Sequence, residues 1–248
     1  MRDKICVVTG TSEGIGLATA AALLARGWEV AGVARRESPL RHPDYRHARI
    51  DLAESAALED RLAEFLGEAL GRPGRSRLGL VNNAASLGPV GPISRLGAAA
   101  LARAYAVNVV APTCLLGLLL RAAPPRTPLR VVNVSSGAAS RPYPGWAAYC
   151  STKAALRMVG LVAAAEAEEL SPGESDLSVV SYEPGVVDTA MQAEVRALGR
   201  EAFPRVERFL DLHARGALHP PREPAEDIAR ILDQDDLPRF GETRLGSS

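Results

Sequence analysis

The chain has 248 residues, of which 47% are hydrophobic and 23% are charged, and its formal net charge at pH 7 is zero. Its length suits one domain, residues 1–248, with a substantial core. The zero net charge argues against a nucleic-acid partner or an anionic membrane surface held by bulk electrostatics.

The N-terminal residues and the cysteines indicate neither export nor a metal site. The chain runs directly from Met1 into the apolar Ile5, which leaves no room for a signal peptide. The most apolar segment, residues 109–120, contains Pro112 and is predicted to be too short to cross a bilayer. The cysteines lack the paired spacing of a metal or redox motif. We therefore expect a cytoplasmic protein with reduced thiols, no bound metal and no membrane partner.

The first element of the chain is a strand that runs into a glycine-rich turn. Residues 5–9 are typical of a strand buried on both faces, and an alanine-rich helical pattern follows the turn and ends at Gly27. In the turn, Gly10 permits the bend, Gly14 lets the backbone approach a pyrophosphate, and Gly16 packs the helix on the strand. A tight turn without a ligand is the alternative. We predict dinucleotide contacts from Gly10, Ser12, Glu13, Gly14, Ile15 and Gly16.

The second strand, residues 28–33, ends at Arg35 and Arg36. An acidic residue there would bond the adenosine ribose of NAD, whereas arginine can bind the 2′-phosphate of NADP. Glu13 and Glu37 add negative charge nearby, but the arginines favour NADP(H) as cofactor. The third strand, near residues 48–50, leads to Asp51 and Leu52, which we place at the adenine edge.

The middle of the chain continues the alternation of helices and strands. A helix over residues 55–70 is closed by Gly71 and Pro73, and the fourth strand, residues 78–81, is followed by Asn82 and Asn83. Adjacent asparagines can tie neighbouring strand ends together or form a turn. A long helix over residues 97–121 contains Asn108, and the fifth strand, residues 129–134, precedes two serines.

A helix over residues 146–170 carries Tyr149 and Lys153, whose spacing of four places both side chains on one face. A cation beside a phenol favours the phenolate and is expected to bring its pKa toward the working range. A solvated helix face is the alternative. Lys153 is one of only two lysines among 29 basic residues, which favours a chemical role over solvation.

The last third of the chain completes the alternation. A sixth strand, residues 177–182, ends in Glu183, Pro184 and Gly185, and residues 191–218 are predicted to form helices that cover the strand ends. A last helix and a short strand near residues 243–245 follow. The pattern predicts an α/β, Rossmann-type, doubly wound parallel sheet with helices on both faces and ligands at its carboxyl edge.

These motifs, in this order, resemble the short-chain dehydrogenase/reductase family over nearly the whole chain. They are Thr9-Gly10-x-x-x-Gly14-Ile15-Gly16, Asn82-Asn83-Ala84-Ala85 (where the family usually ends in glycine), Asn108, Ser136, Tyr149-x-x-x-Lys153 and Pro184-Gly185. The resemblance implies that Tyr149 protonates a carbonyl oxygen as hydride arrives and that Ser136 donates a hydrogen bond to that oxygen. Lys153 would hold the nicotinamide ribose, and Asn108 would hold a water that resupplies protons.

The same resemblance implies further contacts with the cofactor and with a second copy of the chain. Gly185 and Val187 would line the nicotinamide pocket, and Thr189 would reach the carboxamide. The other implied cofactor residues are Asn83, Ala84, Pro184, Tyr149 and Lys153. A homodimer with contacts through the helices around Asn108 and Tyr149 is expected.

Within the family, residues 145–150, 187–192 and 212–218 resemble sepiapterin reductases and bacterial benzil-type diketone reductases. Sepiapterin reductases anchor the pterin through an aspartate in the last strand, where Leu245 stands here, with Glu242 three residues away. This departure favours a less polar small-molecule carbonyl substrate, a 1,2-dicarbonyl, over a pterin. A dinucleotide-sensing regulator without turnover is a third alternative. The substrate-pocket candidates are Leu87, Ser136, Tyr143, Trp146, Tyr149 and Met191.

Overall fold

The computed structural model of the protein describes residues 3–54, 57–71 and 74–247. Within these residues, seven strands form one parallel sheet in the order β3-β2-β1-β4-β5-β6-β7. The strands are β1 (Lys4–Thr9), β2 (Glu29–Ala34), β3 (Tyr45–Arg49), β4 (Arg77–Asn82), β5 (Leu129–Val134), β6 (Leu177–Glu183) and β7 (Phe240–Arg244). The helices are α1 (Gly14–Ala25), α2 (Leu58–Leu70), α3 (Ala98–Tyr105), α4 (Ala111–Ala122), α5 (Ala147–Glu169), α6 (Ala190–Arg196), α7 (Val206–Ala214) and α8 (Arg222–Asp233).

Helices cover both faces of the sheet, which explains why the central strands are almost continuously apolar. One face packs on α2, α4 and α5 through a cluster that includes Leu62, Leu115 and Val131. The other face packs on α1 and α8 through a cluster that includes Leu23 and Ile228. The predicted doubly wound sheet is confirmed. Its strand order reverses between β1 and β4, the point at which such sheets open a crevice for ligands.

The longest apolar helix differs from its sequence-based expectation. Pro112 does not interrupt it: α3, a π-helical turn (Ala106–Val110) and α4 form one continuous helix of 25 residues, Ala98–Ala122. By length and composition alone this helix could cross a membrane, so the prediction that the segment is too short is wrong. In the fold, its Leu115, Leu116 and Leu119 are buried in the core beside α2 and α5.

Several element boundaries also shift. The second strand begins at Glu29 rather than Trp28. Trp28 precedes the strand as a buried residue whose indole donates to Asp233. The third strand begins three residues earlier than predicted, at Tyr45, and the last strand ends at Arg244. The predicted helix start at Ser55 and the stop at Pro73 lie outside the described residues.

Candidate active site

The carboxyl ends of β1 through β6 border one large cavity of about 560 Å³. The segments that follow these strands form its floor, and α6 and α7 supply part of its wall, as predicted for the region after residue 191. The cavity has two ends. One lies over the glycine turn and the end of β2, and the other lies among aromatic residues between α5 and α7.

The glycine turn is held against β4 by the two asparagines predicted to tie strand ends together. The Asn83 side chain donates to the Thr9 carbonyl at 2.8 Å, and Asn82 donates to the Asn133 side chain at 2.8 Å. Gly10 and Gly14 have φ values of +79° and +57°, a region that favours glycine. A methyl group at Gly14 would lie 3.3 Å from the Thr189 methyl. Glycine at position 14 therefore keeps the crevice between the turn and Thr189 open.

Gly16 does not line the cavity. A methyl group there would lie 2.4 Å from the Asn83 amide nitrogen and 2.4 Å from the Gly10 carbonyl. Its predicted role of packing the helix on the strand is therefore consistent with the structure, and its contact with a cofactor stays a prediction.

Two arginines stand at the end of β2, as predicted, and they differ in their surroundings. Arg36 forms an ion pair with Glu13 of the glycine turn at 2.5 Å, whereas no ion pair joins Arg35 to any residue in the described ranges. His47 lies 3.0 Å from the Arg36 carbonyl through Nε2 and 3.0 Å from the Tyr45 hydroxyl through Nδ1. This network fixes the backbone that presents both arginines to the cavity.

Tyr149 and Lys153 lie one helical turn apart on α5, and both are buried at the cavity wall. The Lys153 ammonium donates to the Val134 carbonyl at 2.7 Å and lies 5.6 Å from the centre of the Tyr149 ring. Ser136 follows the end of β5 and also lines the cavity. The structure therefore brings together the phenol, the ammonium and the hydroxyl that the sequence singled out.

Asn108 lies in the π-helical turn and does not line the cavity. Its side chain is fully engaged: it accepts from the Ser86 amide at 2.8 Å and donates to the Ser86 carbonyl and to Thr152 at 2.8 and 3.0 Å. Because these bonds engage the Asn108 side chain, the water that the sequence predicts at Asn108 would not be held by that side chain. Pro112 lacks the N–H that would bond the carbonyl four residues earlier, that of Asn108, which leaves this carbonyl without its α-helical donor.

Burial dominates the acidity of the two central groups. It raises the pKa of Tyr149 to about 12, and the hydrogen bond with Ser136 acts in the opposite direction. Burial lowers the pKa of Lys153 to about 8. The expectation that the Tyr149 pKa lies toward the working range is therefore wrong for the protein without nucleotide, because desolvation of the phenolate outweighs the hydrogen bond with Ser136.

The end of the cavity between α5 and α7, where the sequence predicts the substrate to bind, is aromatic. Trp146 stacks on Phe203 at 4.4 Å between ring centres and contacts Tyr143 and Tyr149 at 5.2 and 5.4 Å. Phe209 of α7 closes the cluster at 5.6 Å from Trp146. Each substrate candidate from the sequence lines this cavity: Leu87, Ser136, Tyr143, Trp146, Tyr149 and Met191.

The remaining cofactor candidates line the cavity as well: Gly10, Ser12, Glu13, Gly14, Ile15, Arg35, Arg36, Asp51, Leu52, Asn83, Ala84, Pro184, Gly185, Val187 and Thr189. Sequence reasoning missed several lining residues of β6, α6 and α7: Glu183, Gln192, Glu194, Val195, Arg208 and Phe209. Glu183 could have been found, because it occupies a strand end of the kind already taken as the ligand edge. The residues of α6 and α7 belong to no sequence motif that could have identified them as lining residues.

We expect the Tyr149 phenol to stay protonated well beyond pH 10 in the protein without nucleotide. Its pKa of about 12 exceeds the ordinary value of 10.0, so neutral phenol persists where an exposed tyrosine is half ionised. A spectrophotometric titration of tyrosinate, wild type minus Tyr149→Phe, measures this residue alone. A difference signal rising below pH 9 would mean that the lysine charge, not burial, controls the phenol.

Comparisons with known proteins agree with this geometry. A family model of short-chain dehydrogenases matches residues 4–198. Benzil reductase ((S)-benzoin forming) of Bacillus subtilis is 35% identical over 235 residues, covering 93% of this chain and 94% of that protein. Sepiapterin reductase of Mus musculus is 34% identical over 249 residues, covering 93% and 92%.

A solved short-chain dehydrogenase/reductase from Saccharomyces cerevisiae has the same fold. Its TM-score is 0.81 at 27% sequence identity, and the match covers 97% of this chain and 95% of that one. The family model spans most of the chain and the relatives match over nearly their full lengths. The protein therefore belongs to the short-chain dehydrogenase/reductase family of oxidoreductases.

Proposed function

We propose that this protein is an NADPH-dependent carbonyl reductase that acts on ketones and 1,2-dicarbonyl compounds. The observation that carries the proposal is the buried Tyr149–Lys153 pair, with Ser136 beside it, on the wall of a cavity that joins a glycine turn to an aromatic cluster. A protonated phenol next to an apolar site is suited to donate a proton to a carbonyl oxygen.

The residues around the glycine turn fit a nicotinamide dinucleotide. The cradle exists only because glycine occupies positions 10 and 14, since a methyl group at Gly10 would lie 2.6 Å from the Asn83 amide nitrogen. The N-terminus of α1 faces this cradle and favours a pyrophosphate. Two structures of similar fold were solved with NADP and with NADH, so the fold alone does not select between the cofactors.

Arg35 and Arg36 support NADP. Glu13 pairs with Arg36 and Glu37 pairs with Arg49, which leaves Arg35 to bind the 2′-phosphate. Asp51 and Leu52 border the cavity beyond the arginines, where the adenine would lie.

The bound cofactor would supply a hydride to the carbonyl carbon. Tyr149 would then donate its proton to the carbonyl oxygen, and Ser136 would hold that oxygen through a hydrogen bond as its negative charge develops. The Lys153 ammonium, held by the Val134 carbonyl, would stabilise the transient phenolate and bond the nicotinamide ribose. Protons would be resupplied from solvent through a water on the Asn108 main-chain carbonyl to Lys153 and on to Tyr149, since the Asn108 side chain is occupied.

The substrate end favours an apolar carbonyl compound. Trp146, Phe209, Leu87 and Met191 would bury a phenyl group, and benzil reductases are among the relatives. Leu245 packs against the core and Glu242 forms an ion pair with Arg157 at 2.7 Å, and neither lines the cavity. Sepiapterin reductase remains the second candidate because the mouse enzyme is 34% identical to this chain.

A homodimer is part of the proposal. Met158 and Val162, one turn apart on α5, are exposed, as are Val110 and Leu120 on the neighbouring helix. Two packed helices with apolar outer faces would bury those faces against the same helices of a second copy.

Replacing Tyr149 with phenylalanine should lower kcat by about 10²–10⁴-fold while NADPH binding persists, because only the proton donor is removed. Ser151→Ala, an exposed hydroxyl two residues along the same helix, serves as the control. Near wild-type turnover by the phenylalanine variant would remove the tyrosine from the mechanism.

Replacing Arg35 with alanine should weaken NADPH binding roughly tenfold to a hundredfold and NADH binding little, because a charge-assisted hydrogen bond to the 2′-phosphate is lost. Arg200→Ala, an exposed arginine outside the cavity, is the matched control. Equal losses for both nucleotides, measured by titration calorimetry, would place the 2′-phosphate elsewhere.

The substrate class is tested by a panel of carbonyl compounds assayed for NADPH consumption. We expect a higher kcat/KM for benzil than for sepiapterin, because apolar contact area replaces the missing pterin anchor. The reverse order would favour the second candidate. No turnover of any carbonyl compound would reject the reductase proposal.

The dimer is tested by Val162→Asp, which places a charge on the shared apolar face. Sedimentation velocity should show the wild type as a dimer and this variant shifted to monomer. Ile93→Asp, an apolar-to-acid change at an exposed site off this face, should leave the dimer intact. A monomeric wild type would contradict the proposal.

A further inference from the structure

One carboxylate at the substrate end of the cavity has no assigned role. Glu183 is the last residue of β6, directly before Pro184 and Gly185, and it is half-buried. Side chains alternate between the faces of a strand. Tyr182 is buried in the cluster beneath α1 and α8, so Glu183 projects to the opposite face, where it lines the cavity.

The Glu183 carboxylate lies next to the catalytic serine. A methyl group at Gly137, the residue after Ser136, would lie 2.9 Å from Oε1 of Glu183 and 4.0 Å from the Tyr143 hydroxyl. Glycine at position 137 therefore gives the carboxylate room between the serine loop and the aromatic cluster. A substrate whose carbonyl oxygen is bonded to Ser136 would place the neighbouring substituent close to this charge.

Within the described ranges, no ion pair or hydrogen bond engages this carboxylate. Of the other acids that line the cavity, Glu13 pairs with Arg36, Asp51 accepts a hydrogen bond from the Ala53 amide, and Glu194 is exposed to solvent. A partly buried, unpaired carboxylate keeps more of its field than an exposed one, because less water screens it.

The positive charge of Arg208 at this end of the cavity has a weaker effect than the negative charge of the Glu183 carboxylate. Arg208 of α7 also lines the cavity, but its side chain is exposed and lies over the Phe209 ring at 6.0 Å. Solvent screens an exposed guanidinium more strongly than a half-buried carboxylate. The Lys153 ammonium, held by the Val134 carbonyl at 2.7 Å, adds a positive charge beside Tyr149, so repulsion by Glu183 acts on a charged group that lies against Gly137.

We propose that Glu183 is a specificity-determining residue that excludes 2-oxo acids and selects uncharged carbonyl compounds. A carboxylate attached to the reacting carbonyl would lie close to the like charge of Glu183 and would be repelled. An ester or a ketone at the same position carries no charge and is accepted. This inference rests on the proposed reductase function and narrows its substrate class.

The test compares benzoylformate with methyl benzoylformate, which share one skeleton and differ by a single charge. The wild type with NADPH should strongly prefer the ester. Glu183→Gln keeps the size of the side chain and removes its charge. It should raise the acid-to-ester ratio of kcat/KM by about tenfold to a hundredfold, mainly through a lower KM for the acid.

The matched control is Glu194→Gln, which removes an exposed carboxylate that also lines this end of the cavity. It should leave the ratio near that of the wild type. An unchanged ratio in Glu183→Gln, or an equal change in both variants, would overturn the inference.

Binding separates this inference from the proposed function. Calorimetric titration of both compounds into protein loaded with NADP⁺ should show tighter binding of the acid in Glu183→Gln even without turnover. Absence of turnover with this binding shift would reject the reductase proposal and retain the charge selection. Turnover of the ester with no shift in acid binding would reject the charge selection alone.

Discussion

The whole site depends on the burial of one ammonium group. Lys153 is 3% exposed, and its charge is compensated by the Val134 carbonyl at 2.7 Å and by the nearby Tyr149 ring. Removing a charge from water is costly, and the lowered pKa of about 8 measures that cost. The end of β5 must therefore lie opposite the first turns of α5, and the sheet and helix that achieve this are the scaffold of the cavity.

The same positioning extends outward through a polar network. Thr152, between the two central residues on α5, donates to the Tyr149 carbonyl and accepts from Asn108. Asn108 in turn holds both backbone groups of Ser86 at the cavity floor. The π-helical turn places Asn108 between these elements, and Pro112 allows the irregular turn because it has no N–H to lose. A residue outside the cavity thus fixes the geometry inside it.

The fold and most of the site could be predicted from the sequence because local patterns determine them. The glycine turn, the apolar strands and the spacing between Tyr149 and Lys153 each act over a few residues, and the structure brings them together at one sheet edge. The direction of the Tyr149 pKa shift could not be predicted, because it depends on the burial of Tyr149 in the folded protein, where Trp146 packs against its ring. Likewise, the sequence does not reveal that the Asn108 side chain forms hydrogen bonds with Ser86 and Thr152, or that the helix containing Pro112 continues without a break.

The two pKa shifts set the charge states of the Tyr149 phenol and the Lys153 ammonium at neutral pH. Burial stabilises the neutral phenol of Tyr149, which is the form that would donate a proton to the carbonyl oxygen in the proposed reduction. The same burial lowers the pKa of Lys153 only to about 8, so the ammonium remains the main form at neutral pH and opposes the charge that forms on the phenol oxygen. The proposed proton donor is therefore held in its protonated form, which is the form that the proposed reduction of a carbonyl compound requires.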